Sequence, residues 1–181
     1  MVKLRKKIQE IPEEPPESME IAHKIKDWAL KAGIAGKEIT PLPPEIEYAL
    51  QIRYAPQNPT PLNILCEFPK GQDFLVLRFR TKVNPEHDTV LENSPDIKKQ
   101  FIAKILELSL LSNIDYTLHL GGQKPYYWDF MDTLYFDGFN KDNLFRHYQR
   151  IGGISQYFIN LFATMFLKQD QGIDAKDFKP A

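Results

Sequence analysis

The chain has 181 residues, 43% of them hydrophobic and 26% charged, the balance of an ordinary globular protein that can bury a core without a disulfide or structural metal. Lys+Arg 23 against Asp+Glu 24 leaves a net charge of -1, which argues against a nucleic-acid binder that works by overall basic charge. A single cysteine, Cys66, excludes an intrachain disulfide and fits a reducing, cytoplasmic setting.

Residues 1–16 begin MVKLRKK but lack the apolar run of a secretory signal. They also carry Glu10, Glu13 and Glu14, which transit peptides avoid, so they read as a solvated N-terminal arm. A single domain is expected over residues 17–168, with a loose tail over 169–181. The proline-free runs mark its elements, because proline breaks helices and is kept out of central strands. Ile21, Ile25, Trp28, Ala29 and Ala32 recur at helical spacing, with Gly33 as the stop. Beyond Pro41-Leu42-Pro43-Pro44 the period drops to two, and Ile46, Tyr48, Leu50, Ile52 and Tyr54 predict a half-buried strand. Residues 62–68 and 74–83 alternate in the same way, joined by the turn Pro69-Lys70-Gly71-Gln72.

Ser94-Pro95 supplies an N-cap and an N1 proline for a helix over residues 95–113. Residues 114–120 predict a fourth strand. An aromatic-rich loop is expected over 123–130, a fifth strand over 131–136, and a last helix over 141–168. Within that helix, residues 151–167 fall short of the ~20 apolar residues a membrane span needs. They also carry Ser155, Gln156, Asn160 and Thr164, so a buried helix and no membrane contact are expected. The outcome is an α+β domain of order αβββαββα, with a five-stranded, mainly antiparallel sheet and helices on one face.

This order is carried by the meander over 46–83, the helix over 95–113, the strands over 114–120 and 131–136, and the long last helix. It resembles the type III secretion chaperone-like fold across residues 17–168. The chain also looks like members of an uncharacterised archaeal family assigned to that fold. The resemblance implies a binding or chaperone-type module, commonly a homodimer, and it transfers no catalytic residue. The N-terminal arm and the aromatic segment 125–130 depart from the pattern of secretion chaperones.

His23, His87, His119 and His147 are scattered, with no HExxH, CxxC or His-x-His spacing, so neither metal nor cofactor is expected. His119 and Asp137 are predicted on one face of neighbouring strands, and a small acid–base enzyme there is the alternative to a binding module. Cys66 alternates with Ile64 and Phe68 and is expected in the core rather than as a nucleophile. Gly152-Gly153 interrupts a helix and marks either close packing or a hinge.

Three surfaces are candidates for a partner. Tyr126, Tyr127 and Trp128 are consecutive aromatics that cannot all point inward from one loop, so at least one is expected to be exposed. Arg78, Arg80 and Lys82 form a basic row on the outer sheet face, near Arg53. That row is either paired with acids such as Glu47 and Glu67 or open to an acidic partner. A nucleic acid is the weaker possibility, because stacking aromatics at the spacing of RNA-binding sheets are lacking. In the middle helix, Ile97, Phe101, Ile105 and Leu108 form one stripe, and Ile102, Leu106, Leu110 and Leu111 widen the apolar arc beyond what one sheet can cover. Either the long last helix over 141–168 or a second copy of this helix can cover the excess; because the resembling fold commonly dimerises in this region, Ile102, Leu106 and Leu110 are the expected homodimer interface of a non-enzymatic interaction module.

Overall fold

The computed structural model describes residues 17–34, 36–54, 62–120 and 126–170. The arm over 1–16 and most of the tail lie outside the described residues. So do the proline turn at 55–61 and the glycine-containing segment 121–125.

Helix α1 (Glu17–Lys31) carries Glu17 and Glu20 in its first turn and Lys31 in its last, matching the helix dipole at both ends. Its inward face is Ile21, Ala22, Ile25 and Ala29. A three-residue strand, β1 (Gly36–Glu38), follows and pairs with β2 (Ile46–Tyr54). Next come β3 (Leu62–Pro69) and β4 (Phe74–Lys82), joined by a turn in which Gly71 adopts φ +69°, a conformation that suits glycine. Helices α2 (Pro85–Asn93) and α3 (Pro95–Ser112) precede β5 (Asp115–His119) and β6 (Tyr127–Tyr135). A 3-10 turn over Phe136–Gly138 leads into α4 (Lys141–Asp170).

Among the described residues the sheet has six strands in the order β1-β2-β3-β4-β6-β5, and every pairing is antiparallel. The sequence pattern predicts five. The extra strand is β1, whose three residues are too short to show alternation. A second difference is α2, which fills a stretch in which the sequence pattern predicts no element. The third is β6, which begins at Tyr127 rather than near Met131, so residues 127–130 of the expected aromatic loop are strand.

In each long strand one parity is buried. Leu50 and Ile52, then Ile64, Cys66 and Phe68, then Leu75, Leu77 and Phe79, then Trp128 and Phe130, form one hydrophobic core with the helices. Helix α4 lies across β3, β4 and β6, α1 covers β2, and α3 covers β5. Aromatic rings dominate the far half of this core. Phe101, Trp128, Phe158 and Phe162 meet at centroid separations of 4.9–6.2 Å. Near the other end, Tyr54 lies directly on Gly152 of α4, where an added Cβ would stand 2.5 Å from the ring. Gly152 thus marks close packing, while Gly153 is exposed. Cys66 is fully buried, and that burial pushes its thiol pKa well above the usual value.

Candidate functional site

The outer face of the sheet carries the predicted basic row, and the register decides its fate. Arg80 lies opposite Asp129, and Arg78 opposite Met131 and beside Leu65. The Arg80 Nε and a terminal nitrogen donate to the two Asp129 oxygens at 2.7 and 2.6 Å. Arg78 donates to Asp129 Oδ2 at 3.0 Å and to Glu67 Oε2 at 2.7 Å. Asp129 is wholly buried beneath these two guanidinium groups. Its hydrogen bond holds the Arg80 pKa above the usual value. Arg80 also sits 5.0 Å from the centroid of the Tyr127 ring, and His119 stacks on that ring's face at 3.9 Å. Arg78 and Arg80 therefore do not form a free cationic strip. Lys82, at the strand end, is exposed. Glu47, expected to pair with the row, instead accepts a hydrogen bond from Ser18 at 2.9 Å.

The aromatic triplet splits by strand parity. Tyr126 and Trp128 point inward and are 5% and 2% exposed; Tyr127 points outward and is half-buried beneath His119 and Arg80. The adjacent rings do take opposite directions, but none of the three is exposed, since Tyr127, the outward one, is half-buried. The expectation of a presented loop is corrected, because the antiparallel pairing with β4 continues through Tyr127. The Tyr126 hydroxyl donates to Glu92 of α2 at 2.8 Å, which ties the start of β6 to that helix.

The proposed pairing of His119 with Asp137 is also corrected. His119 pairs with Tyr127, at the opposite end of β6 from Asp137 in the 3-10 turn. Strand β6 from Tyr127 to Tyr135 alone separates those levels by roughly 27 Å. The structure instead assembles Asp132, His147 and Arg150. The Arg150 guanidinium donates to both Asp132 oxygens at 2.6–3.0 Å, and His147 Nδ1 lies 2.9 Å from Asp132 Oδ2. His147 and Arg150 are one helical turn apart on α4, a spacing visible in the sequence. Their partner on β6 is not, since it depends on which strand α4 crosses. This trio fastens α4 to the sheet: the planar fork of arginine grips a carboxylate through two nitrogens.

On α3, Phe101, Ile105 and Ser109 face inward. Ile102 and Leu106 are 36% and 41% exposed, and Leu110 and Leu111 are 74% and 77% exposed. Packing of α4 against α3 leaves this arc uncovered. Beside the C-terminal end of α3 lies an open cleft of about 520 Å³, between that helix end and β6. Among the described residues no group of three or more His, Cys, Asp or Glu side chains is placed to hold a metal. Among the same residues, no helix is long and apolar enough to cross a membrane.

The molecule is thus an α+β protein with an open antiparallel sheet, helices packed on one side, and an uncovered apolar helix face. A family profile described as "Uncharacterized conserved protein (DUF2299)" matches residues 21–162, and the chain belongs to that family. Among solved structures it is similar to an uncharacterised protein from Methanothermobacter thermautotrophicus. The TM-score is 0.68 at 20% identity, over 81% of this chain and 99% of the other. That likeness establishes a shared fold. No curated protein matches.

Proposed function

We propose that the protein is a non-enzymatic interaction module that self-associates through α3. The observation that carries this reading is the uncovered row Ile102, Leu106 and Leu110, with Leu111 on its flank. A whole aliphatic side chain represents roughly 120 Å² of burial, from about 3 kcal/mol at ~25 cal/mol/Å². Scaled by their exposures, the four side chains offer roughly 270 Å² per chain. Two copies bring together about 550 Å² of apolar surface, which at the ~65% apolar share of homodimer interfaces corresponds to about 850 Å² in total. Tyr116 and Tyr157, 38% and 58% exposed, lie on the strand and helix flanking α3 and extend the patch. The sum approaches the ~1,000 Å² of a specific interface. A two-fold axis lets one stripe serve both copies, so no second surface is required.

The chaperone-like reading of the fold gains support from the element order. Without the three-residue β1 and the nine-residue α2, the order is αβββαββα. Sedimentation velocity at micromolar concentration tests the proposal. The wild type is expected at dimer mass and Leu106→Glu at monomer mass with an unchanged far-UV spectrum. A wild-type monomer overturns it.

A further inference from the structure

We propose that β5 is an association edge: it pairs antiparallel with β5 of a second copy, with Thr117 on the two-fold axis, so that one sheet runs through both copies. The inference rests on the self-association through α3 proposed above and states how the two copies meet. Strand β5 hydrogen-bonds to β6 on one side and, among the described residues, to no strand on the other. Such an edge offers a row of backbone N–H and C=O groups to another chain, and proteins blunt it with lysine, proline, a bulge or a cover. The opposite edge is blunted in this way. Strand β1 is three residues long, carries Lys37, and lies against α1, whose Lys26 pairs with Glu38 at 2.6 Å. Strand β5 reads Asp115-Tyr116-Thr117-Leu118-His119, with neither lysine nor proline, and it pairs with β6 without a shift of register.

The order of those five residues suits pairing with itself. Antiparallel pairing about Thr117 is the one register that matches all five. It sets Asp115 opposite His119 of the second copy, Tyr116 opposite Leu118, and Thr117 opposite Thr117. Asp115 and His119 share the outer face, as their counterparts Met131 and Tyr127 on β6 do. An imidazole N–H donates to a carboxylate, and the symmetry makes that contact twice. Tyr116 and Leu118 have the other parity and lie on the face that α3 covers, where an aromatic opposite an aliphatic is a favourable cross-strand pair. Moving the axis to Tyr116 would set Asp115 opposite Thr117 and leave His119 facing no residue of β5. Two five-residue strands alone make a small contact. Because α3 is the helix over β5, the same axis brings the two α3 helices together, and Ile102, Leu106 and Leu110 supply the apolar area. Leu110 and Tyr116 line one cleft at this edge, so the row and the edge are continuous.

Cysteine cross-linking of the full chain tests the pairing. The one native cysteine, Cys66, is fully buried, so a cysteine placed on the edge reports without interference. Directly opposite residues of an antiparallel pair have Cα atoms about 4.5–5.5 Å apart, within the range of a disulfide. Under oxidised glutathione at micromolar protein, Thr117→Cys is expected to form a covalent dimer, and Lys37→Cys on the β1 edge to stay monomeric. Asp115→Arg should raise the dimer Kd about tenfold, and adding His119→Asp should restore it to within about threefold. Amides of 115–119 that point away from β6 should exchange more slowly in the wild-type dimer than in Leu106→Glu. A wild-type dimer in which Thr117→Cys cross-links no faster than Lys37→Cys, or in which exchange along β5 matches that of Leu106→Glu, overturns the pairing and leaves association through α3 standing. An unchanged Kd in Asp115→Arg overturns it too. A wild-type monomer overturns both proposals, so the wild-type mass tells the two failures apart.

Discussion

Gly152→Ala should destabilise the protein, although alanine is the better helix former. Glycine in a helix interior costs about 1 kcal/mol relative to alanine, so on α4 alone the substitution is favourable. At this position, however, the new Cβ would lie 2.5 Å from Cδ2 and Cε2 of Tyr54 and 2.7 Å from its Cγ. The ring is hemmed in. It meets Tyr148 edge-on at 5.3 Å, and the Tyr148 hydroxyl is anchored on the Arg53 carbonyl at 2.7 Å. Because Cγ is part of the clash, a rotation about the ring axis does not relieve it. Overpacking of this kind costs about 1–3 kcal/mol, and the lack of an escape route puts it at the upper end. The net loss is then about 1–2 kcal/mol, which urea denaturation resolves. The decisive measurement repeats the substitution in a Tyr54→Ala background. With the ring gone, only the helix term remains, and Gly152→Ala should stabilise by up to about 1 kcal/mol. A stabilising effect in the wild type, or the same sign in both backgrounds, refutes the reasoning.

Asp129→Asn removes the charge shared by Arg78 and Arg80 and should cost about 2–3 kcal/mol, below the full cost of breaking a buried pair because Arg80 is nearly half exposed. A melting temperature lowered by roughly 4–12 °C is expected, and a loss under about 1 kcal/mol would show the network to be surface decoration. Cys66 should resist iodoacetamide in the native protein and react only as urea unfolds it, since it is fully buried and its thiol pKa is raised by that burial; rapid native labelling contradicts its placement. Burial, helped by the Glu38 carboxylate, pushes the Tyr48 phenol up to about 12. From about pH 10 the unfolded chain gives up that proton first, so the folded state holds more protons and stability falls until about pH 12. Urea midpoints at alkaline pH should fall less steeply in Tyr48→Phe than in the wild type.

The long strands were legible because one buried face writes an alternation into Ile46–Tyr54, Leu62–Pro69 and Phe74–Lys82. The same rule concealed the start of β6. Both parities of Tyr126–Phe130 are aromatic or buried, since Tyr127 and Asp129 are covered on the outer face by Arg80 and its neighbours. A strand covered on both faces shows no period. Strand β1 was too short to read, and α2 has a weakly apolar inward face of which Leu91 is fully buried. The outward arc of α3 was legible for the opposite reason. Its apolar residues exceed what one contact can bury, and the structure leaves Ile102, Leu106 and Leu110 uncovered. Pairings across the fold were out of reach. Asp132 with His147 and Arg150, or Asp129 with Arg80, depends on register, which a single sequence does not specify for distant elements.

The contacts made at the two ends of the sheet differ. At the β1 end, Lys26 of α1 pairs with Glu38 at 2.6 Å, Ser18 reaches Glu47, and Tyr148 closes on the Arg53 carbonyl. The middle of the outer face neutralises its own charges through Asp129 and Glu67. At the β5 end the pattern reverses. The edge strand is short, β6 outruns it, the Ser109 hydroxyl has no partner, and the apolar arc of α3 faces outward. Packing among the described residues leaves the apolar row of α3 exposed, while the inward residues of the same helix, Phe101 and Ile105, are fully buried. Variants at the β1 end should accordingly change stability, and variants along the outward row of α3 should change association while leaving the fold intact.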